Sequence, residues 1–125
     1  MKTAIDSCKV DRIGHGVRAI EDKNILFMLK DLQIPLEICP SSNVVLGIYP
    51  SIEAHPLPLL MEAGIKVSIN SDDPPFMATT IDREYDLVQE TFQLSDKQMK
   101  TLTKQAIEVA FIDEQLKVEL LQKVV

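Results

Sequence analysis

The sequence predicts an α/β fold built on parallel strands. Two observations predict it. Short apolar runs alternate with stretches of helical periodicity in the order strand, helix, strand, helix, strand, then helices. Each apolar run also ends in a polar cluster: "GHG", "CPSSN" and "NSDDP". In sheets of this kind, sites lie at the carboxyl ends of the strands.

Each element has its own warrant. "KVDRIGHG" reads as a short strand closed by glycines. Ile25, Met28, Leu29 and Leu32 then recur with the spacing of an amphipathic helix. "IPLEIC" is a second apolar strand, ended by Pro40 and the polar "SSN". "HPLPLLMEAG" reads as a brief helix, with prolines suited to its first turn and Gly64 to its end. "IKVSIN" alternates as a third strand. Ile81, Tyr85, Val88 and Phe92 share a helical face. Ser95 with Gln98 fits a capping box and Leu94 with Met99 a hydrophobic staple, so the next helix starts near Asp96. Asp113 is placed to cap a last helix carrying Leu116, Leu120 and Leu121.

Alternation along the third strand puts Ile65, Val67 and Ile69 on one face. Lys66, Ser68, Asn70 and Asp72 fall on the other, so Asp72 points into a barrel or cleft. Asp73 follows the opposite direction unless the turn at Pro74 and Pro75 re-aims it. Taken singly, each cluster has an ordinary explanation. "DDP" is a solvated turn, "GHG" a tight turn with an exposed histidine, and Ser42 and Asn43 are turn formers. His55, in "EAHPLP", precedes or caps a helix. GxSxG, P-loop, GxGxxG and CxxC motifs are absent, as is the HxE…PCxxC pattern of cytidine-type zinc deaminases.

Composition narrows the class. The 125 residues suit one domain, and 46% are hydrophobic. Nineteen acidic against 13 basic residues give a net charge of −6, with no basic stripe for nucleic acid. No apolar run approaches the roughly 18 residues of a membrane span. The amino-terminal stretch lacks the apolar segment of a secretory signal. Cys8 and Cys39 form no framework, and Cys39 in "PLEICP" reads as a buried, reduced thiol. The expected setting is the cytoplasm.

Together, "DRIGHGVRAIED" and "PLEICPSSNVVLGIYPSIEAHPLPLLMEAGIKVSINSDDP" resemble the carboxy-terminal part of the adenosine and adenine deaminases, metal-dependent enzymes of the amidohydrolase superfamily. The resemblance implies a (β/α)8 barrel, with residues 1–125 forming strands six to eight and their helices. It implies one divalent metal, usually zinc. Asp72 would be a metal ligand, His15 the catalytic residue that orients the metal-bound water, and Asp73 a hydrogen-bonding partner of the purine. The implied reaction is hydrolytic deamination of a 6-aminopurine. "GIYPSIEAHP" is closer to adenosine deaminases, so adenosine to inosine plus ammonia leads. Adenine deamination is the alternative, and a non-catalytic remnant used for binding is a third reading.

The family's H-x-H pair, its further histidine and the glutamate that protonates the ring have no counterpart here, because His15 and His55 are the only histidines. A complete barrel takes about 250 residues, and a zinc site takes three protein ligands plus water. The expectation is therefore an incomplete, inactive chain that depends on the rest of the barrel, in the same gene or on a separate partner chain, for the remaining ligands.

Overall fold

The computed structural model describes residues 1–125. Its centre is a three-stranded parallel sheet in the order β1-β2-β3, with β1 Ile13–Gly14, β2 Leu36–Ile38 and β3 Val67–Ile69. The register aligns Ile13, Leu36 and Val67, and beside them Gly14, Glu37 and Ser68. Adjacent residues point to opposite faces. The first row, with Ile38 and Ile69, joins the core; the second gives the other face its polar character. The strands are shorter than their apolar runs because only these residues pair: "KVDRIGHG" contributes two residues to the sheet, not a full strand.

Helices and a 3-10 turn connect the strands. Helix α1 (Lys2–Cys8) leads into β1. A 3-10 turn (Val17–Glu21) and α2 (Lys23–Asp31) join β1 to β2. Ile25 and Leu29 of the expected stripe are buried, whereas Leu32 caps the helix and stays exposed. The start of α2 is fixed by Asp22, whose carboxylate accepts from Asn24 N at 2.8 Å and Ile25 N at 3.4 Å. Helices α3 (Pro40–Val45) and α4 (Leu57–Glu62) join β2 to β3. The "PSSN" stretch is thus a helix and not a loop: Pro40 occupies the first turn, where its missing N–H costs nothing. Gly64 follows α4 with φ 77°, as a helix end requires.

After β3 come α5 (Pro74–Met77), α6 (Ile81–Phe92), α7 (Asp96–Glu108) and α8 (Glu114–Lys123). The capping box of α7 is present: Ser95 N donates to Gln98 Oε1 at 2.9 Å, and Ser95 Oγ accepts from Gln98 N. Leu94 and Met99 are both buried. Asp113 caps α8 by accepting from Leu116 N at 2.9 Å, but no residue of α8 is fully buried.

Helix α7 packs on β3 and shields its outer edge. Gln105 Oε1 accepts from Val67 N at 3.0 Å, so a side chain satisfies a donor that an edge strand would leave bare. No helix is long and apolar enough to cross a membrane.

Candidate active site

The carboxyl ends of the three strands converge. His15 follows β1, Ser42 and Asn43 lie on α3 after β2, and Asp72 follows β3. His15 Nε2 lies 3.5 Å from Asp72 Oδ2. Both residues have left-handed backbones, φ 55° and 57°. That conformation costs a non-glycine residue about 1 kcal/mol or more. The neighbouring structure enforces it at His15. His15 N donates to Glu37 O at 2.8 Å, extending the ladder, and Gly16 then turns at φ 70°. A Cβ on Gly16 would sit 2.7 Å from Leu36 Cδ2, so this position needs glycine for space as well as conformation.

Asp72 does reach the cleft, for a different reason than strand alternation. The strand ends at Ile69, and Asn70 N donates to Ile38 O at 2.8 Å as the last ladder bond. The left-handed turn at Asp72 sets its direction. Asp73, the cap position of α5, is exposed and its side chain makes no hydrogen bond. It does not line the cavity that His15 and Asp72 share. That cavity, about 420 Å³, is also bounded by Glu37, Cys39 and Ile81. Ile81 faces it rather than joining the core with Val88. An adjoining apolar cavity of about 530 Å³, walled by Val17, Leu46 and Ile48, meets it at Gly14 and His15.

Two adjacent residues of α3 hold the two sides of the cleft. Ser42 Oγ donates to Asp72 Oδ2 at 2.7 Å. Asn43 Nδ2 lies 3.2 Å from His15 Nδ1, and Asn43 Oδ1 lies 3.0 Å from His55 Nε2. Ser42, Asn43 and His55 are all buried. Burial pushes the His55 imidazole down to about 4, so it is neutral near pH 7. Composition and turn propensity concealed these three residues. The available signal was Pro40, whose fit to a helix start would have put Ser42 and Asn43 on a helix facing the rim.

His15, Cys39 and Asp72 bring potential ligand atoms within 4.8 Å of one another. The Cys39 thiol is pushed up to about 12, chiefly by burial and then by the negative field of Asp72, and it donates to Glu37 O at 3.6 Å. It is a neutral thiol. Asp72 is different: Ser42 engages Oδ2, while Oδ1 makes no hydrogen bond within the chain. Its accessible carboxylate fits a divalent cation as one ligand of an incomplete set.

A parallel sheet with its polar groups gathered on the carboxyl rim is the design of barrel enzymes. The chain belongs to the adenosine deaminase family, whose sequence profile matches residues 1–125. Adenine deaminase of Rhizobium leguminosarum bv. trifolii (strain WSM2304) is 48% identical over 120 residues, 96% of this chain and 37% of that protein. The crystal structure of adenine deaminase from Arthrobacter aurescens superposes with a TM-score of 0.96 at 33% identity, over 98% of this chain and 38% of that one. The N6-methyl-AMP deaminase of Arabidopsis thaliana gives 0.81 at 30% identity, over 93% and 34%. The chain therefore spans little more than a third of the length of these relatives.

Proposed function

We propose that this chain forms the carboxy-terminal part of a purine deaminase barrel, residues 1–125 contributing strands six to eight, and that the complete site hydrolyses a 6-aminopurine to its 6-oxo product and ammonia. The observation that carries this reading is the His15–Asp72 pair, brought together from the ends of β1 and β3 and held by Ser42 and Asn43 at the end of β2. Adenine is the preferred substrate. The sequence pattern favoured adenosine, but the adenine deaminases cited above, at 48% and 33% identity, shift the balance to the free base.

In this reading Asp72 holds one divalent metal, most simply zinc, together with ligands from the rest of the barrel. When bound, such a metal lowers the pKa of water towards about 7 and so supplies a nucleophile. His15, whose Nε2 lies 3.5 Å from Asp72 Oδ2, would orient the attacking water. Asp73 lies outside the cavity shared by His15 and Asp72, but it is exposed and without an internal hydrogen bond, and so is available to bond the purine ring. The missing ligands make the isolated chain inactive. A cytoplasmic setting agrees with two free cysteines, one of them exposed.

The test is to replace the matching segment of the R. leguminosarum enzyme with this chain and measure ammonia release from adenine and from adenosine. The expected result is turnover of adenine, with adenosine at least about ten-fold slower in kcat/KM. Equal or greater activity on adenosine overturns the substrate assignment. No activity on any 6-aminopurine by a folded, metal-loaded chimera overturns the reaction.

A further inference from the structure

The partners of His15 extend beyond the cleft. Their starting point is a backbone amide whose role is fixed. Leu57 N, at the free amino-terminal end of α4, donates to His55 Nδ1 at 3.1 Å. Nδ1 of His55 therefore carries no proton. His55 is buried and neutral, so its single ring proton sits on Nε2. That proton points at Asn43 Oδ1, 3.0 Å away. With its oxygen engaged, Asn43 turns its NH2 group to His15, where Nδ2 meets Nδ1 at 3.2 Å. His15 Nδ1 must then accept. The proton of a neutral His15 resides on Nε2, facing Asp72 Oδ2 at 3.5 Å.

We infer that His55 and Asn43 are positioning residues that set the tautomer of His15, transmitting the direction of a helix-end amide through two buried side chains to the reacting edge of the cleft. The inference rests on the proposed function for its catalytic meaning, but the hydrogen-bond order stands on geometry alone. Asn43 reads His55 with its oxygen and His15 with its nitrogen, so the two histidines are held in the same tautomer. The 56° tilt of the Tyr49 ring against His55, centroids 5.3 Å apart, helps fix the His55 plane. A purely structural role for Asn43 would need only that its polar atoms be satisfied. A tautomer-setting role needs a donor on one side and an acceptor on the other.

Asn43→Asp separates these roles. The carboxylate is nearly isosteric and still accepts from His55 Nε2–H, but it offers His15 an acceptor in place of a donor. His15 must then carry a proton on Nδ1, either as the Nδ1–H tautomer or as an imidazolium held between the two carboxylates. Asn43→Ala instead leaves Nδ1 without a partner and imposes neither tautomer. In the R. leguminosarum chimera, the expected order of kcat is wild type, then N43A, then N43D, with N43D at least about ten-fold below N43A and KM changed less than kcat. A structural role gives the reverse order, since Asp keeps the bond to His55 and Ala loses both, and that order overturns the proposal.

A second readout does not depend on turnover. The chain has two histidines, so 15N-histidine labelling of the metal-free chain gives two ring patterns. Folding is reported by His55 remaining neutral near pH 5, about where an ordinary histidine is protonated. Tautomers are read at about pH 8, above the ordinary histidine range: the expected result is that both rings are Nε2–H in the wild-type chain, that N43D puts a proton on His15 Nδ1, and that His55→Gln, whose amide can still donate to Asn43, leaves Nδ1 unprotonated. A His15 Nδ1 that stays unprotonated in N43D overturns the inference. So does a His55 found as Nδ1–H. An inactive wild-type chimera would count against the deaminase reading, while the spectra would still decide the relay.

Discussion

Ser42 Oγ donates a 2.7 Å hydrogen bond to Asp72 Oδ2, and Ser42 itself is only 1% exposed. The bond fixes one oxygen of the carboxylate and leaves the other available. Partners of this kind orient a metal ligand and are worth about 10–100-fold in affinity. Ser42→Ala should weaken metal binding by the chimera by that factor and leave its unfolding midpoint nearly unchanged. A competition titration with a metal chelator checks this.

The buried Glu84 is a structural counterpart on α6. Its carboxylate accepts from Thr79 Oγ1 at 2.6 Å and from Ser41 N at 3.0 Å, and the residue is fully buried. It thereby ties α6 to the start of α3, the helix that carries Ser42 and Asn43. Glu84→Ala removes the acceptor of the part-buried Ser41 N and the shorter bond of the Thr79 hydroxyl, which keeps Thr80 O at 3.3 Å, and should cost about 2 kcal/mol. Glu84→Gln can accept from Ser41 N and donate to the Thr79 hydroxyl, so about 1 kcal/mol is expected. Urea unfolding of the chain, followed by circular dichroism, measures both.

His55 gives the stability a defined pH dependence. In the folded chain it is held at about 4, below the ordinary 6.5, by burial. The unfolded chain therefore takes up a proton near pH 6.5 that the folded chain refuses until about pH 4. Stability should fall as pH is lowered through this window and level off below it. The full effect is on the order of 3 kcal/mol. The difference between wild type and His55→Gln in urea midpoints between pH 7 and pH 4 isolates this contribution from the carboxylates.

Asp73 is expected to act on substrate and not on metal. Asp73→Asn in the chimera should lower kcat/KM for adenine by at least about ten-fold while metal content stays unchanged. Exposure of Asp73 and the absence of a side-chain hydrogen bond in α5 predict little change in stability, within about 0.5 kcal/mol. Steady-state kinetics together with metal analysis of the same preparation test it.

Much of the fold was legible because local signals and burial agree. Pro and Gly bracket α4, a capping box opens α7, and alternation in "IKVSIN" matches the buried Val67 and Ile69. His15 and Asp72 stood out because both end apolar runs. Ser42, Asn43 and His55 did not, since their importance lies in partners 30, 28 and 12 positions away. The turn preference of Ser and Asn hid a helix whose short length gives periodicity little to act on. Asp72 was assigned its direction by extending alternation past Ile69, where the strand has already ended. The edge cover by Gln105 was illegible for the same reason as the relay, being a contact across 38 positions between a helix and a strand.

The most direct measurement of the central claim is metal content and ammonia release, from adenine, of the chimera carrying Asp72→Asn or His15→Gln. Asp72→Asn should lose both bound metal and turnover. His15→Gln should keep about one metal per chain and lose turnover by at least about a hundred-fold. A folded Asp72→Asn chimera that retains metal and deaminates adenine at the wild-type rate would contradict the account.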